Sequence, residues 1–566
     1  MDKDRDNQTL KRVLSLLVPY KSYLVLMVGC FIVTTCSSFA LPLIMRKITD
    51  QGMVDKDFEI IVLYSLFLLF AFAINQCFSL FQTRIYVKIH NEFSLSLFSR
   101  AFIKLLKLPL SYYHEKNSAE IVSTTNIDVD QVAAITDQSL LFSITNILQI
   151  VSGLIGLMII DWRLALVVIT VIPIKYLTIK QLSRKKKTLM ERSIDSSRKF
   201  NSWFGNNIGG IKEIKLWNIY SLKLNQFTKM QEDVLRNNKD NIMLDKYNIT
   251  IDSLLDTILS TAIYILSGYL IVFGNFTIGG AFAFISYSSY VIGPIGMLLN
   301  LNYNLSQILP SAKRFFSFLD LPEEKVNMTE GKNRDGLNIS EQSPLIEIEN
   351  LEFYYDKRRK LFKDVNFKLF AGEKIGIIGP NGAGKSTLIN LLLCFIHPVS
   401  GNIKIGGIET SEFGLSNLRN LFAVVSQEPY LFQGTIEHNI DITENSSKEI
   451  IESMCQKSGA AEFIQKLSYG YQQQIGPNGA KLSGGEKQKL ALARALIKKA
   501  EIVILDEATS NFDVDSEEYL QKIISQELQG KTVLLITHRY NLLKKLDRVF
   551  KINNGKISEV DIAAHV

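Results

Sequence analysis

Cysteine is scarce in this chain: Cys30, Cys36, Cys77, Cys394 and Cys455 are all there is. Their number is odd and their spacing fits neither a disulfide framework nor a zinc site, so they read as small buried hydrophobes. A basic face interleaved with aromatics is also missing, which removes the main argument for nucleic-acid binding. The basic residues behind the net charge of +7 gather instead at Arg184-Lys185-Lys186-Lys187 and at Lys104 and Lys107, beside apolar runs. Met1 to Gln8 is polar and several apolar stretches follow, so no cleavable signal peptide is expected.

Apolar residues abound, at 47% of 566 residues. The length exceeds what one core organises, and the apolar content is uneven. Crossing a bilayer takes about 20 apolar residues per helix. Six stretches qualify, at about 22–46, 58–82, 138–160, 163–181, 249–273 and 278–301, and helical patterns run on past several of them. The loops 83–107, 180–198 and 212–246 are rich in Lys and Arg, whereas the opposing turns are short and nearly neutral or acidic. An excess of Lys and Arg marks the cytoplasmic side, so both termini and the long loops are expected there. The expected fold is an all-α six-helix transmembrane domain with long cytoplasmic extensions over 1–321, a polar linker over 322–343, and an α/β phosphate-loop domain over 344–566.

The last part carries the chemistry. Lys374–Ile378 is a buried-strand run leading into Gly379-Pro380-Asn381-Gly382-Ala383-Gly384-Lys385-Ser386, and Ser386-Thr387-Leu388-Ile389 opens a helix. Strand, glycine loop and helix in this order form an anion cradle of backbone N–H groups. Lys385 then reaches the β- and γ-phosphates, and Ser386 offers a hydroxyl to Mg²⁺. A second strand run, Glu501–Leu505, ends in Asp506-Glu507. Asp506 suits Mg²⁺ coordination, and Glu507 suits polarising an attacking water as general base. His538 follows a third apolar run and is placed to contact the γ-phosphate and hold that water.

Between the loop and the acidic pair lies Leu482-Ser483-Gly484-Gly485-Glu486-Lys487. With this member in order, the last ~220 residues resemble the ATP-binding cassette, and the whole chain resembles an ABC exporter half-transporter with fused membrane domain. That resemblance implies that Ser483, Gly484, Gly485 and Glu486 complete the ATP site of a second chain, either an identical copy or a separate partner. It implies adenine stacking by Tyr355, and a Gln427 that senses Mg²⁺ and contacts the membrane domain. It also implies a loop Ser510–Asp513 that crosses the dimer interface, with Asp513 near nucleotide. Leu110–Asn117 and Ile214–Tyr220 fall where the family has its coupling helices. Two departures stand out: Glu486, where Gln is commoner in the family, and Pro477, where exporters often carry Glu.

The implied function is ATP-driven export of a peptide, drug or lipid-like amphiphile across a bacterial inner membrane. A lipid flippase, an ATP-gated channel and a regulatory membrane protein are the alternatives. Asp252 and Asp256 share one helix face, as do Asn300, Asn304 and Gln307. They are candidates to line a polar cavity; the aspartates fit the cytoplasmic edge of a span equally well.

Overall fold

The computed structural model describes residues 2–115, 118–137, 141–274, 276–324, 343–356, 360–507 and 519–561. Most of the linker expected over 322–343 therefore lies outside the described residues. The chain divides into two compact units: Met1–Leu106 with Ser118–Leu321, and Lys107–Asn117 with Pro322–Val566.

The first unit is built from helices α1 (Asp2–Ser15), α2 (Lys21–Lys47), α3 (Phe58–Lys107), α5 (Ser118–Ala133), α6 (Ser143–Ile160), α7 (Trp162–Gly209), α8 (Ile211–Leu216), α9 (Tyr220–Phe273) and α10 (Ile278–Leu319); α4 (Leu110–Glu115) belongs to the second. Among the described residues, Val18–Val54, Phe58–Lys107, Ser143–Ile160, Tyr220–Phe273 and Ile278–Leu298 are long and apolar enough to cross a membrane. The stretch 163–181 forms the first part of α7.

These helices reverse the usual arrangement of a soluble protein. In the apolar half of α3, Leu63, Leu66, Phe67 and Phe70 are exposed, whereas its more polar half buries Ile85, Ile89, Phe93, Leu97 and Ala101 at four-residue spacing. A surface of large apolar side chains suits hydrocarbon rather than water. Inside, packing is by close approach. Tyr287 of α10 is fully buried and its hydroxyl donates to the Phe39 carbonyl on α2. Its ring lies against α6 at Gly156, where an added Cβ would come within 2.7 Å of three ring carbons. Glycine there is a packing requirement.

The second unit has a six-stranded sheet in the order β12–β11–β3–β10–β9–β6, formed by β3 (Lys374–Ile378), β6 (Phe422–Val425), β9 (Ile502–Asp506), β10 (Thr532–Ile536), β11 (Arg548–Asn553) and β12 (Lys556–Glu559). All pairs are parallel except β11 with β12. All five residues of β10 are buried, as expected of a strand covered on both faces. Leu534 and Ile536 enter one core, with β1 (Pro344–Phe353) and β2 (Phe362–Phe370); Val533 and Leu535 enter the other. β1 and β2 lie in a separate antiparallel sheet with β4 (Ser400–Ile405) and β5 (Ile408–Glu409), and β7 (Gly434–Thr435) pairs with β8 (Gln474–Ile475). The helices of this unit include α11 (Lys385–Leu392), α12 (Leu415–Asn420) and α13 (Gly484–Ile497).

Gly156→Ala is expected to lower the stability of the detergent-solubilised protein by about 1–3 kcal/mol through overpacking. Gly29→Ala, where a Cβ meets nothing within 4 Å, should change it by less than about 0.5 kcal/mol. Thermal unfolding midpoints distinguish the two; equal shifts would rule out the packing argument.

Candidate active site

The parallel register aligns Ile377 with Ile536 and Ile536 with Asp506, so β3, β10 and β9 end along one sheet edge. The loop after β3 turns there. Gly382 and Gly384 hold φ at +76° and +108°, which glycine adopts at little cost. A Cβ on Gly384 would also come 2.9 Å from Phe362. Gly384 caps α11 without a side chain, leaving the first-turn N–H groups to an anion.

Four functional side chains meet at this edge. Lys385 is buried; its Nζ donates to the Gly379 carbonyl at 2.8 Å and stands 3.2 Å from His538 Nε2. His538 Nε2 lies 3.3 Å from Glu507 Oε1, and Gln427 Nε2 donates to Glu507 Oε2 at 2.7 Å. Glu507 has φ +46°, a conformation uncommon outside glycine, and its N–H is held by the Ile536 carbonyl at 2.9 Å. Ser386 Oγ donates to Asp506 Oδ2 at 3.4 Å. Burial first, and the neighbouring Glu507 carboxylate second, raise the Asp506 carboxyl above its ordinary range, against the pull of Ser386 and Lys385. Two adjacent carboxylates, a hydroxyl and an amide make a hard oxygen set, deficient in positive charge, that fits Mg²⁺.

Tyr355 is 69% exposed and stands edge-on to Phe353, with centroids 4.9 Å apart and its hydroxyl 3.4 Å from Thr387 Oγ1. Its ring is free for stacking. Asn381 is exposed at the loop's tip.

Ser483 forms its hydrogen bonds within its own turn. It is exposed and caps α13 in a reciprocal box: its N–H and Oγ donate to Glu486 Oε2 at 2.7 and 2.8 Å, and its Oγ accepts from the Glu486 N–H at 3.3 Å. Glu486 thus serves the turn directly. Gly484 and Gly485 begin the helix. Pro477 starts a short turn in which Asn478 accepts a bond from the Leu431 N–H at 3.2 Å. Ser510–Asp513 lies outside the described residues.

Gln488 was not apparent from the sequence pattern. It is 1% exposed, and its Nε2 donates to the Gln427 carbonyl at 3.2 Å, tying α13 to the glutamine that holds Glu507. The only signal in the sequence was a polar residue among the buried Leu490, Ala491 and Ala493 of α13.

In the helical unit, Asp252 and Asp256 converge on Lys175 of α7. Its side chain is fully buried, with Nζ 2.8 Å from Asp252 Oδ1 and 3.1 Å from Asp256 Oδ1, while the two aspartate side chains are 33% and 46% exposed. Lys175 was absent from the sequence expectations. Positions 300, 304 and 307 fall within α10; the side chains of Asn300, Asn304 and Gln307 lie outside the described residues. At the coupling positions, Tyr112 and Tyr113 form an edge-on pair 5.5 Å apart, and Leu216 and Trp217 are exposed.

A helical unit with lipid-suited spans and a phosphate-loop unit with a base beside it define a membrane translocase driven by a nucleotide triphosphate. Residues 24–295 match the family model described as ABC transporter transmembrane region, and 362–510 match that of the ABC transporter. The chain belongs to the ABC transporters, with membrane and ATP-binding regions fused, and is an ATP-hydrolysing multi-pass membrane translocase. It is 30% identical to the ATP-dependent lipid A-core flippase of Alcanivorax borkumensis, over 81% of this chain and 78% of that protein. It is 27% identical to the protein of the same name from Wigglesworthia glossinidia brevipalpis, over 97% and 94%. The fold is similar to that of a bacterial Atm1-family ABC exporter with ATP bound (TM-score 0.79, 21% identity, 96% of each chain).

Tyr355→Ala should weaken ATP binding about 5- to 100-fold, the worth of one stacked base, and Tyr355→Trp should keep it within about three-fold; equilibrium titration with ATP checks both. Asp252→Asn with Asp256→Asn should destabilise the protein by about 3–5 kcal/mol, because it strands a fully buried ammonium. Lys175→Met should cost less, since both aspartate side chains are less buried than the lysine, at 33% and 46% exposed. The reverse order in thermal unfolding would contradict this assignment.

Proposed function

We propose that the chain is half of a pump that moves an amphiphile across a bacterial inner membrane, with lipid flipping as its form of export. The observation that carries this is the Lys385–His538–Glu507–Gln427 cluster in a chain whose other unit presents apolar spans. Similarity to proteins named lipid A-core flippases favours a lipid-like cargo over a peptide or drug. The exposed Ser483, whose hydrogen bonds stay within its own turn, supports a head-to-tail pairing in which it serves a second chain's nucleotide. One sequence supplies both halves, which favours a homodimer over a heterodimer.

Each residue then has a task. The loop N–H groups and Lys385 hold the phosphates. Tyr355 orients the adenine. Ser386, Asp506 and Gln427 would hold Mg²⁺, which supplies charge neutralisation for phosphoryl transfer. Glu507, fixed by Gln427, takes a proton from the attacking water, and His538 steadies the γ-phosphate. Asp513, as part of Ser510–Asp513, would reach across the pair. Asp252, Asp256, Asn300, Asn304 and Gln307 are proposed to border the cargo's path, the aspartates with their charge partly met by Lys175. The Lys- and Arg-rich loops support a cytoplasmic position for the ATPase unit and both termini.

An ATP-gated channel needs binding but not repeated hydrolysis, and a base held this firmly favours the pump. Glu507→Gln should lower ATPase activity at least about 100-fold while ATP still binds. In proteoliposomes carrying a fluorescent phospholipid analogue, ATP-dependent transbilayer movement should stop with it. Movement that persisted in the variant would exclude a pump.

A further inference from the structure

The chain passes into the α/β unit twice, at Lys107 and again at Pro322. Within that unit the two junctions are fastened together. The Glu324 N–H donates to the Lys107 carbonyl at 2.8 Å, and Lys107 Nζ lies 3.6 Å from Glu323. Within the helical unit, just before these points, the buried Lys104 donates to the Leu321 carbonyl at 2.6 Å.

Glu324 then turns inward. Its carboxylate is 11% exposed and receives both prongs of the Arg419 guanidinium, at 2.6 and 3.1 Å. A paired fork of this kind fixes direction as well as distance. Arg419 lies in the last turn of α12 and makes further contacts there. Its Nε donates to the Leu393 carbonyl at 3.1 Å, and its guanidinium sits 4.6 Å over the Phe395 ring. Leu393 is the C-cap of α11, the helix that begins at Lys385. From the other side, Lys498 Nζ donates to the Arg419 carbonyl at 2.8 Å, and Lys498 is the C-cap of α13, the helix that begins at the Ser483 turn.

The far ends of both nucleotide-facing helices therefore meet at one arginine. An eight-residue helix is a rod about 12 Å long, so a shift at Lys385 is delivered to the Leu393 carbonyl with little loss. A cation on the last carbonyls of a helix is favoured by the helix dipole. Neither Glu324 nor Arg419 touches the phosphate loop or the Glu507 cluster through any hydrogen bond described above.

We propose that Arg419 is a positioning residue for coupling: its fork onto Glu324 makes the two junction segments respond to whether α11 holds a nucleotide. This rests on the ATP-driven pump proposed above. The test is amide hydrogen exchange on the full-length chain in lipid nanodiscs, with and without ATP, for the original chain, Arg419→Met and the milder Glu324→Gln. Protection of 379–386 by ATP reports binding and is expected in all three. The Leu105–Leu108 and Glu323–Glu324 amides should slow about ten-fold with ATP in the original chain, less than two-fold in Arg419→Met, and to an intermediate degree in Glu324→Gln. An ATP response at the junctions that is equal in all three, or missing in the original chain, overturns the proposal. Should Arg419→Met fail to fold, Glu324→Gln carries the same test. Loss of protection at 379–386 in the original chain would instead defeat the ATP-binding assignment beneath it. A merely structural role for Arg419 would alter exchange equally with and without ATP.

Discussion

The parallel pairing of β10 between β3 and β9 is the constraint on which the active site depends. It brings the ends of three strands, distant in sequence, to one edge: the phosphate loop after Ile378, Asp506-Glu507, and His538 two residues past Ile536. Strand side chains alternate faces, so a slip of one residue would exchange Leu535 for Ile536 between the two cores and turn the edge groups away. Burial on both faces makes such a slip costly. The strained backbone at Glu507 survives because Ile536 holds its N–H and Gln427 its carboxylate.

The helical unit solves a different problem. Its outer surface gains nothing from contact with itself, so cohesion comes from close approach and from polar groups inside. Tyr287 against Gly156 is the first device, and Lys175 between two aspartates is the second. A buried ammonium requires a counter-ion, and Asp252 and Asp256 supply it from another helix.

Much of the site was legible before folding, because its chemistry sits in short contiguous motifs. Lys385, Ser386, Asp506 and Glu507 announce themselves by residue type next to a strand end. The pairings were not legible. Gln427 on Glu507, Gln488 on Gln427, and Arg419 on Glu324 join residues 80, 61 and 95 positions apart. Lys175 was hidden for a related reason: a single lysine in an apolar run looks like a boundary until its partners are seen 77 and 81 residues away, on another helix.

The sequence by itself determined the apolar spans, the α/β periodicity and the identity of the phosphate-binding loop, since each depends on composition and spacing within about 20 residues. Only the tertiary structure decided which carboxylate is held by which amide, where the buried lysine finds its charge, and that α11 and α13 end on one arginine. Those outcomes depend on strand order and helix packing, which no local pattern specifies.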